Sequence, residues 1–152
     1  MRFGTDTYRA GAIERLAAAE SLLRDRRNIG AVYLGGLAVE GMLRSLVWMR
    51  DRTFDERHDL RRLAVRVGYV GLLREPEEDR DFVGEVQGIA KRWNNGLRFA
   101  NEDQTVRWWR SLGVVSFSTR ADVRPLCVSF VNECSRVVRR CELSWQRHRK
   151  RS

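Results

Sequence analysis

Proline is nearly absent: the 152 residues contain only Pro76 and Pro125. Long stretches therefore carry nothing that removes a helical N–H or clashes with the preceding turn. Long apolar runs are missing too. The longest uncharged one, residues 29–39, is well short of the about 20 residues a membrane span needs. Residues 1–15 are polar and contain Asp6 and Glu14, so the apolar centre of a signal peptide is lacking. Three cysteines cannot all pair within one chain, which predicts a cytoplasmic protein with reduced thiols. Histidine is limited to His58 and His148, too few for a multi-histidine metal centre and scant material for a catalytic triad. No repeat or low-complexity tract occurs, and the nearest approach to a strand, residues 113–117, is too isolated to pair.

What is present suits one helical domain with a real core. The chain is 43% hydrophobic and 32% charged, which excludes disorder. Its formal net charge is +9 and its pI near 10.6, so polyanions, nucleic acid first, are the expected partners. The positive charge is almost entirely arginine, since Lys91 and Lys150 are the only lysines. Genomic base composition produces the same bias, so charge alone leaves nucleic-acid contact open.

Apolar periodicity lays out the helices. Asp6 or Thr7 is the expected cap of a first helix running to about Arg26, with Ile13, Leu16, Ala17 and Leu23 on its stripe. A second helix runs from about Asn28 to Met49 and interleaves Gly30, Gly35, Gly36 and Gly41 with larger apolar residues. Glycine inside a helix costs roughly 1 kcal/mol against alanine, so this helix is expected at the centre, where neighbours pack close. Residues 50–57 read as a charged loop. A short third helix opens near His58 with Asp59 as cap and stops at Gly68. A fourth opens at Glu75-Pro76-Glu77-Glu78, where proline suits the first turn and the acids face the positive helix end. Asn94-Asn95-Gly96 terminates it. A short helical piece covers 104–112 and a loop 116–121. The last helix is expected to take Asp122 as cap and Pro125 as its third residue. Along it Val123, Cys127, Phe130, Cys134, Val137 and Cys141 form a heptad seam, suited to another helix or to a partner's copy.

Three constellations invite chemistry. Cys127, Cys134, Cys141 and His148 recur every seven residues, but along a helix the set spans about 30 Å. Zinc ligands sit within about 2.3 Å of one ion, and a disulfide needs Cα atoms within about 7 Å. No metal or other cofactor is expected. Glu40 lies among apolar residues and is either solvent-facing or a buried acid held by an arginine, since an unpaired buried charge is prohibitive. Arg44, one turn later, or Arg98 is the expected partner. Finally, Arg136, Arg139 and Arg140 lie one turn apart, followed by Trp145, Arg147, Arg149, Lys150 and Arg151. This run is either an RNA-backbone surface with an aromatic for stacking or a solvated helix end whose cations suit the negative terminus.

The segment Tyr33-Leu34-Gly35-Gly36-Leu37-Ala38-Val39-Glu40-Gly41-Met42-Leu43-Arg44, then Arg57-His58-Asp59-Leu60, then Leu97-Arg98-Phe99 together resemble the HEPN family. Its members carry an alanine-rich helix with an A-x-E-x-x-L-K/R pattern, an H-D-L and an R-Y pair. Arg44 stands here for the usual lysine and Phe99 for the tyrosine. The resemblance is strongest over residues 29–62, looser over 93–99 and generic elsewhere. It implies an all-α bundle of four to five helices, a single domain over 1–152 with a basic C-terminal tail at about 146–152, and a homodimer. It also implies a role near RNA or nucleotides in toxin–antitoxin or anti-phage defence modules, beside a partner nucleotidyltransferase or other defence protein. Many members are metal-independent endoribonucleases in which an arginine precedes a histidine at short spacing, both protomers contributing at a dimer cleft. Here Arg52 precedes His58 with five residues between them, while the segment aligned with the nuclease motif, 98–103, has Arg98 but no histidine. The position of the tyrosine that partner nucleotidyltransferases modify holds Leu60.

Three functions are therefore expected in order: a domain binding RNA or a nucleotide phosphate, an endoribonuclease using His58 with Arg52 or Arg98, and a non-catalytic dimerisation module. On the first, Glu40, Arg44 and Asp59 are the motif's binding residues. The basic surface is Arg139, Arg140, Arg147, Arg149, Lys150 and Arg151. His58 folded towards Arg98 would make a small phosphate pocket, the imidazole acting as general acid or base and the guanidinium gripping phosphate. Local packing of a histidine at a helix start is the plainer alternative.

Overall fold

Each segment with helical apolar spacing forms a helix. The computed structural model describes residues 4–53, 58–69, 76–116 and 123–150. Their elements are α1 (Thr5–Arg24), α2 (Asn28–Trp48), α3 (Leu60–Tyr69), α4 (Pro76–Arg92), a 3-10 helix (Asn95–Phe99), α5 (Glu102–Ser111) and α6 (Arg124–Arg149). The described residues contain no strand, and the chain is all-α. They hold six α-helices rather than four or five, the short α3 and α5 making the difference. The expected cap Asp122 and residues 117–121 lie outside the described residues.

α2 is the central helix. Ala31, Val32, Ala38, Val39, Met42, Leu43, Leu46 and Val47 are fully buried on it, because α1, α3, α6, α5 and the 3-10 helix all pack against it. By length and hydropathy it could cross a membrane, but 67% of its most apolar window is buried inside the chain. Two of its glycines stand where neighbours come close. A Cβ at Gly36 would lie 2.2 Å from the Trp93 indole, so only glycine lets Trp93 Nε1 donate to the Tyr33 carbonyl at 3.0 Å. A Cβ at Gly41 would stand 3.3 Å from both Ala12 Cβ and the Tyr8 carbonyl, where α1 crosses.

The helix ends refine the sequence reading. α1 starts at Thr5 with Gly4 as its cap and no capping side chain, so neither Asp6 nor Thr7 caps it; Asp6 sits inside the first turn. α1 ends at Arg24, before the expected Arg26, because Arg26 turns left-handed at φ 58°. Arg27 N–H then donates to the Leu22 carbonyl and Arg26 N–H to Leu23, at 2.8 and 3.1 Å, a Schellman closure. Asp59 does cap α3, its Oδ1 accepting from the Arg61 and Arg62 amides at 3.1 Å each. α5 begins two residues before the expected Gln104. Asn101 and Gln104 exchange side-chain to backbone hydrogen bonds at 2.9 Å, a capping box. α6 starts at Arg124, which puts Pro125 second rather than third in the helix.

The heptad seam of α6 is consumed within the chain. Cys127, Phe130, Cys134 and Cys141 are completely buried and Val123 and Val137 are 1% exposed. Cys134 Sγ lies 3.4 Å from the point where a Cβ on Gly35 would sit. α6 is thereby docked on α2, and the seam is no surface for a partner's copy.

Candidate functional site

Glu40 is 5% exposed on the wall of α2, and both its oxygens are engaged. Oε1 accepts from Arg44 Nε and Oε2 from His58 Nδ1, each at 2.9 Å. Of the two expected arginine partners, Arg44 is the one that meets Glu40, as its one-turn spacing on the same helix allows. Arg44 is itself 8% exposed. The buried carboxylate thus faces a guanidinium on one side and an imidazole on the other.

His58 sits where the chain turns into α3. Its backbone is left-handed at φ 56°, a conformation that disfavours residues with a Cβ. That turn sends the side chain back to Glu40 while Asp59 caps the next helix. Because the carboxylate of Glu40 takes a hydrogen bond from Nδ1, the neutral ring carries its proton there. Nε2, on the opposite edge, hydrogen-bonds to nothing among the described residues. About half of the His58 side chain, 49%, is exposed.

His58 borders a cleft of about 300 Å³, lined also by Asp59, Leu60, Arg61, Ala90 and Trp93. Neither Arg52 nor Arg98 is among these walls. Arg52 is exposed in the loop after α2. Arg98, on the 3-10 helix, lays its guanidinium over Phe99 at 4.5 Å, and Phe99 is 78% exposed. The arginine in the cleft is Arg61, which sequence reasoning missed. The signal for it was its place directly after His58-Asp59-Leu60, in the first turn of the helix Asp59 caps. Trp93 was legible as a core residue but not as a cleft wall.

Asp51 anchors the preceding loop. Its carboxyl is pushed down to about 2 by the Thr53 hydroxyl, then by Arg66 and the Thr53 amide. Arg66 Nη2 donates to Asp51 Oδ2 at 2.6 Å, tying the loop after α2 to α3. The cysteines offer no nucleophile: burial raises the Cys134 and Cys141 thiols far above the ordinary range. Among the described residues no group of three or more His, Cys, Asp and Glu side chains is placed to hold a metal ion.

Half of the described C-terminal cations are engaged. Arg140 pairs with Glu85 at 3.8 Å and lies over Phe82. Arg147 donates to Ser144 Oγ at 2.9 Å. Residues 146–149, the start of the expected tail, are still part of α6, and Arg149 meets Asp6 at 3.4 Å. Trp145, expected to stack a base, is 3% exposed and donates from Nε1 to Thr5 Oγ1 at 3.1 Å. Arg136, Arg139 and Lys150 are exposed and form no ion pair among the described residues. Arg151 lies outside them.

Compared with known proteins, the chain matches no family model, no curated protein and no solved structure.

Proposed function

We propose that the chain is a HEPN-like helical domain that binds RNA or a nucleotide phosphate at the His58 cleft, as a homodimer working beside a partner in a toxin–antitoxin or defence-type unit. The observation that carries the reading is the Glu40–His58 hydrogen bond at 2.9 Å, which fixes the imidazole on the cleft that Arg61 also lines. The Arg61 guanidinium on that cleft supplies the donors that a phosphate oxygen needs, and Nε2 of the neutral imidazole is left as an acceptor. The partner and the biological setting rest on the resemblance in residues 29–62. Arg136 and Arg139 are the basic-surface residues left free to add phosphate contacts on α6.

The test is RNA binding across a salt series. Arg61→Ala should weaken binding, and Arg136→Ala with Arg139→Ala should flatten the slope of log affinity against log salt by about 1.4, at about 0.7 per single-strand contact. Loss of neither affinity nor slope in any of these variants would remove the phosphate reading.

A second reading is favoured by the same hydrogen bond. A histidine whose tautomer is held by a buried carboxylate is equipped for general acid–base chemistry, with Arg61 in the role expected of Arg52 or Arg98. Incubation with total RNA in EDTA, beside His58→Ala, decides it: cleavage by the parent alone makes the domain a metal-independent endoribonuclease, and intact RNA in both leaves it a binding domain.

A further inference from the structure

A larger cavity adjoins the cleft at His58. It measures about 490 Å³ and is lined by Arg61, Gly84, Gln87, Gly88 and Lys91. Arg61 lines both spaces. The four α4 residues follow the three- and four-residue spacing that puts side chains on one helical face. From Gly84 to Lys91 that face is about 10 Å long at the helical rise per residue. Its floor is bare. A Cβ at Gly84 would meet nothing within 4 Å, and one at Gly88 only the tip of Arg92 at 3.9 Å. Packing therefore does not demand either glycine, and their effect is to leave the groove open.

The charge on these walls is of one sign. Arg61 from α3 and Lys91 from α4 are both exposed and form no ion pair among the described residues. Gln87 adds a neutral amide that can donate. Among the described residues no acid lines the cavity. Glu85, next to Gly84, reaches instead to Arg140 on α6 at 3.8 Å, and Asp81, one turn before Gly84, is not among the walls. In the adjoining cleft the acid is Asp59, with Oδ1 on two amides of α3 and Oδ2 3.5 Å from Arg62. Two like charges on one space repel, and an anion between them removes that cost. The space is also larger than a single phosphate needs, falling within the roughly 300–1,000 Å³ of small-molecule sites.

We infer that this α3–α4 groove binds linked phosphates, one at Arg61 and another at Lys91, as a nucleoside polyphosphate or a stretch of nucleic-acid backbone presents them. The guanidinium grips its phosphate through paired N–H donors and the ammonium holds the other as a point charge. The inference rests on the phosphate reading above and extends that site by a second cation.

The two glycines supply a test that does not threaten folding. Gly84→Leu with Gly88→Leu fills the groove while raising helix propensity, so the melting temperature should stay the same or rise. Tripolyphosphate, titrated calorimetrically into the full chain at low salt, should bind the parent. The double-leucine variant and Lys91→Ala should each bind it at least about tenfold more weakly. Arg15→Ala removes the same charge from an exposed position of α1, a helix packed on α2 and α6, and should change the affinity less than about twofold. Uridine triphosphate and hexauridylate, titrated in the same way, identify the source: the ligand that the double-leucine variant binds more weakly is the one the groove takes. Parent and double-leucine variant binding all three ligands equally would overturn the groove and leave the phosphate reading standing. A loss in Arg15→Ala as large as in Lys91→Ala would overturn it too, by showing attraction to overall charge instead of a site. A parent that binds none of the three would overturn the phosphate reading itself.

Discussion

Glu40 is the residue on which the site turns. Glu40→Gln keeps the side chain's shape but removes the charge that faces Arg44, and breaking a buried pair from one side costs about 3–5 kcal/mol. Urea denaturation should show a loss of that size, and an unchanged midpoint would contradict the pairing. His58 contributes a hydrogen bond and a strained backbone together, and two substitutions separate them. His58→Ala loses the bond and keeps the strain; His58→Gly loses the bond and relieves it. The glycine variant should be the more stable by about 1 kcal/mol, the scale of the left-handed penalty. At acid pH the sensitive residue is Asp51. Its carboxyl titrates lower in the folded chain, at about 2, than the ordinary aspartate value of 3.8, so the fold binds that proton less readily than the unfolded chain does. Its contribution is present above pH 4 or so and disappears as pH falls towards 2. Asp51→Asn should flatten the stability profile in that window, read by thermal melts across pH. Burial of Glu40 was legible because apolar neighbours surround it in sequence. Arg61 was not, because its value depends on where α4 passes, a tertiary fact that no local spacing contains.

Among the elements, the long helices were legible and their ends less so. Apolar periodicity places α1, α2, α4 and α6 within a few residues, since each buries one continuous face. Their ends depend on a single dihedral or on one capping hydrogen bond. α1 stops because Arg26 adopts φ 58°, where glycine is the usual residue. Arg26→Gly should therefore stabilise the chain by about 1 kcal/mol, seen as a raised melting temperature. A drop would show that Arg26 contributes more through its side chain than its backbone loses. The capping box that opens α5 was readable in Asn101-x-x-Gln104 and overlooked because the apolar pattern begins later. The α6 seam was legible as a seam, but its partner was not: a heptad stripe reads the same whether α2 or a second molecule covers it. A dimer of this chain has to use another face, and Leu143 at 61% exposure and Ile13 at 41% are the large apolar residues that α6 and α1 leave uncovered.

On the scale of the whole molecule, part of the arginine complement is bound into the architecture. Arg9 with Glu142 joins α1 to α6, Arg92 with Glu133 joins α4 to α6, and Arg66 with Asp51 joins α3 to the loop after α2. Arg9 also lies 4.5 Å over the Trp145 ring. Arginine that holds helices together is unavailable to a polyanion, so Arg9, Arg92 and Arg66 belong to the fold rather than to a binding surface. The three thiols of α6 carry a different consequence. Being fully buried and seven residues apart, they mark successive levels of one helix, like graduations on a rod, and each can react only when its level opens. Under native conditions a thiol reagent therefore times the departure of α6 from α2. One common rate at Cys127, Cys134 and Cys141 means the helix leaves whole; a faster rate at one end means it peels, and names the end from which the molecule comes apart.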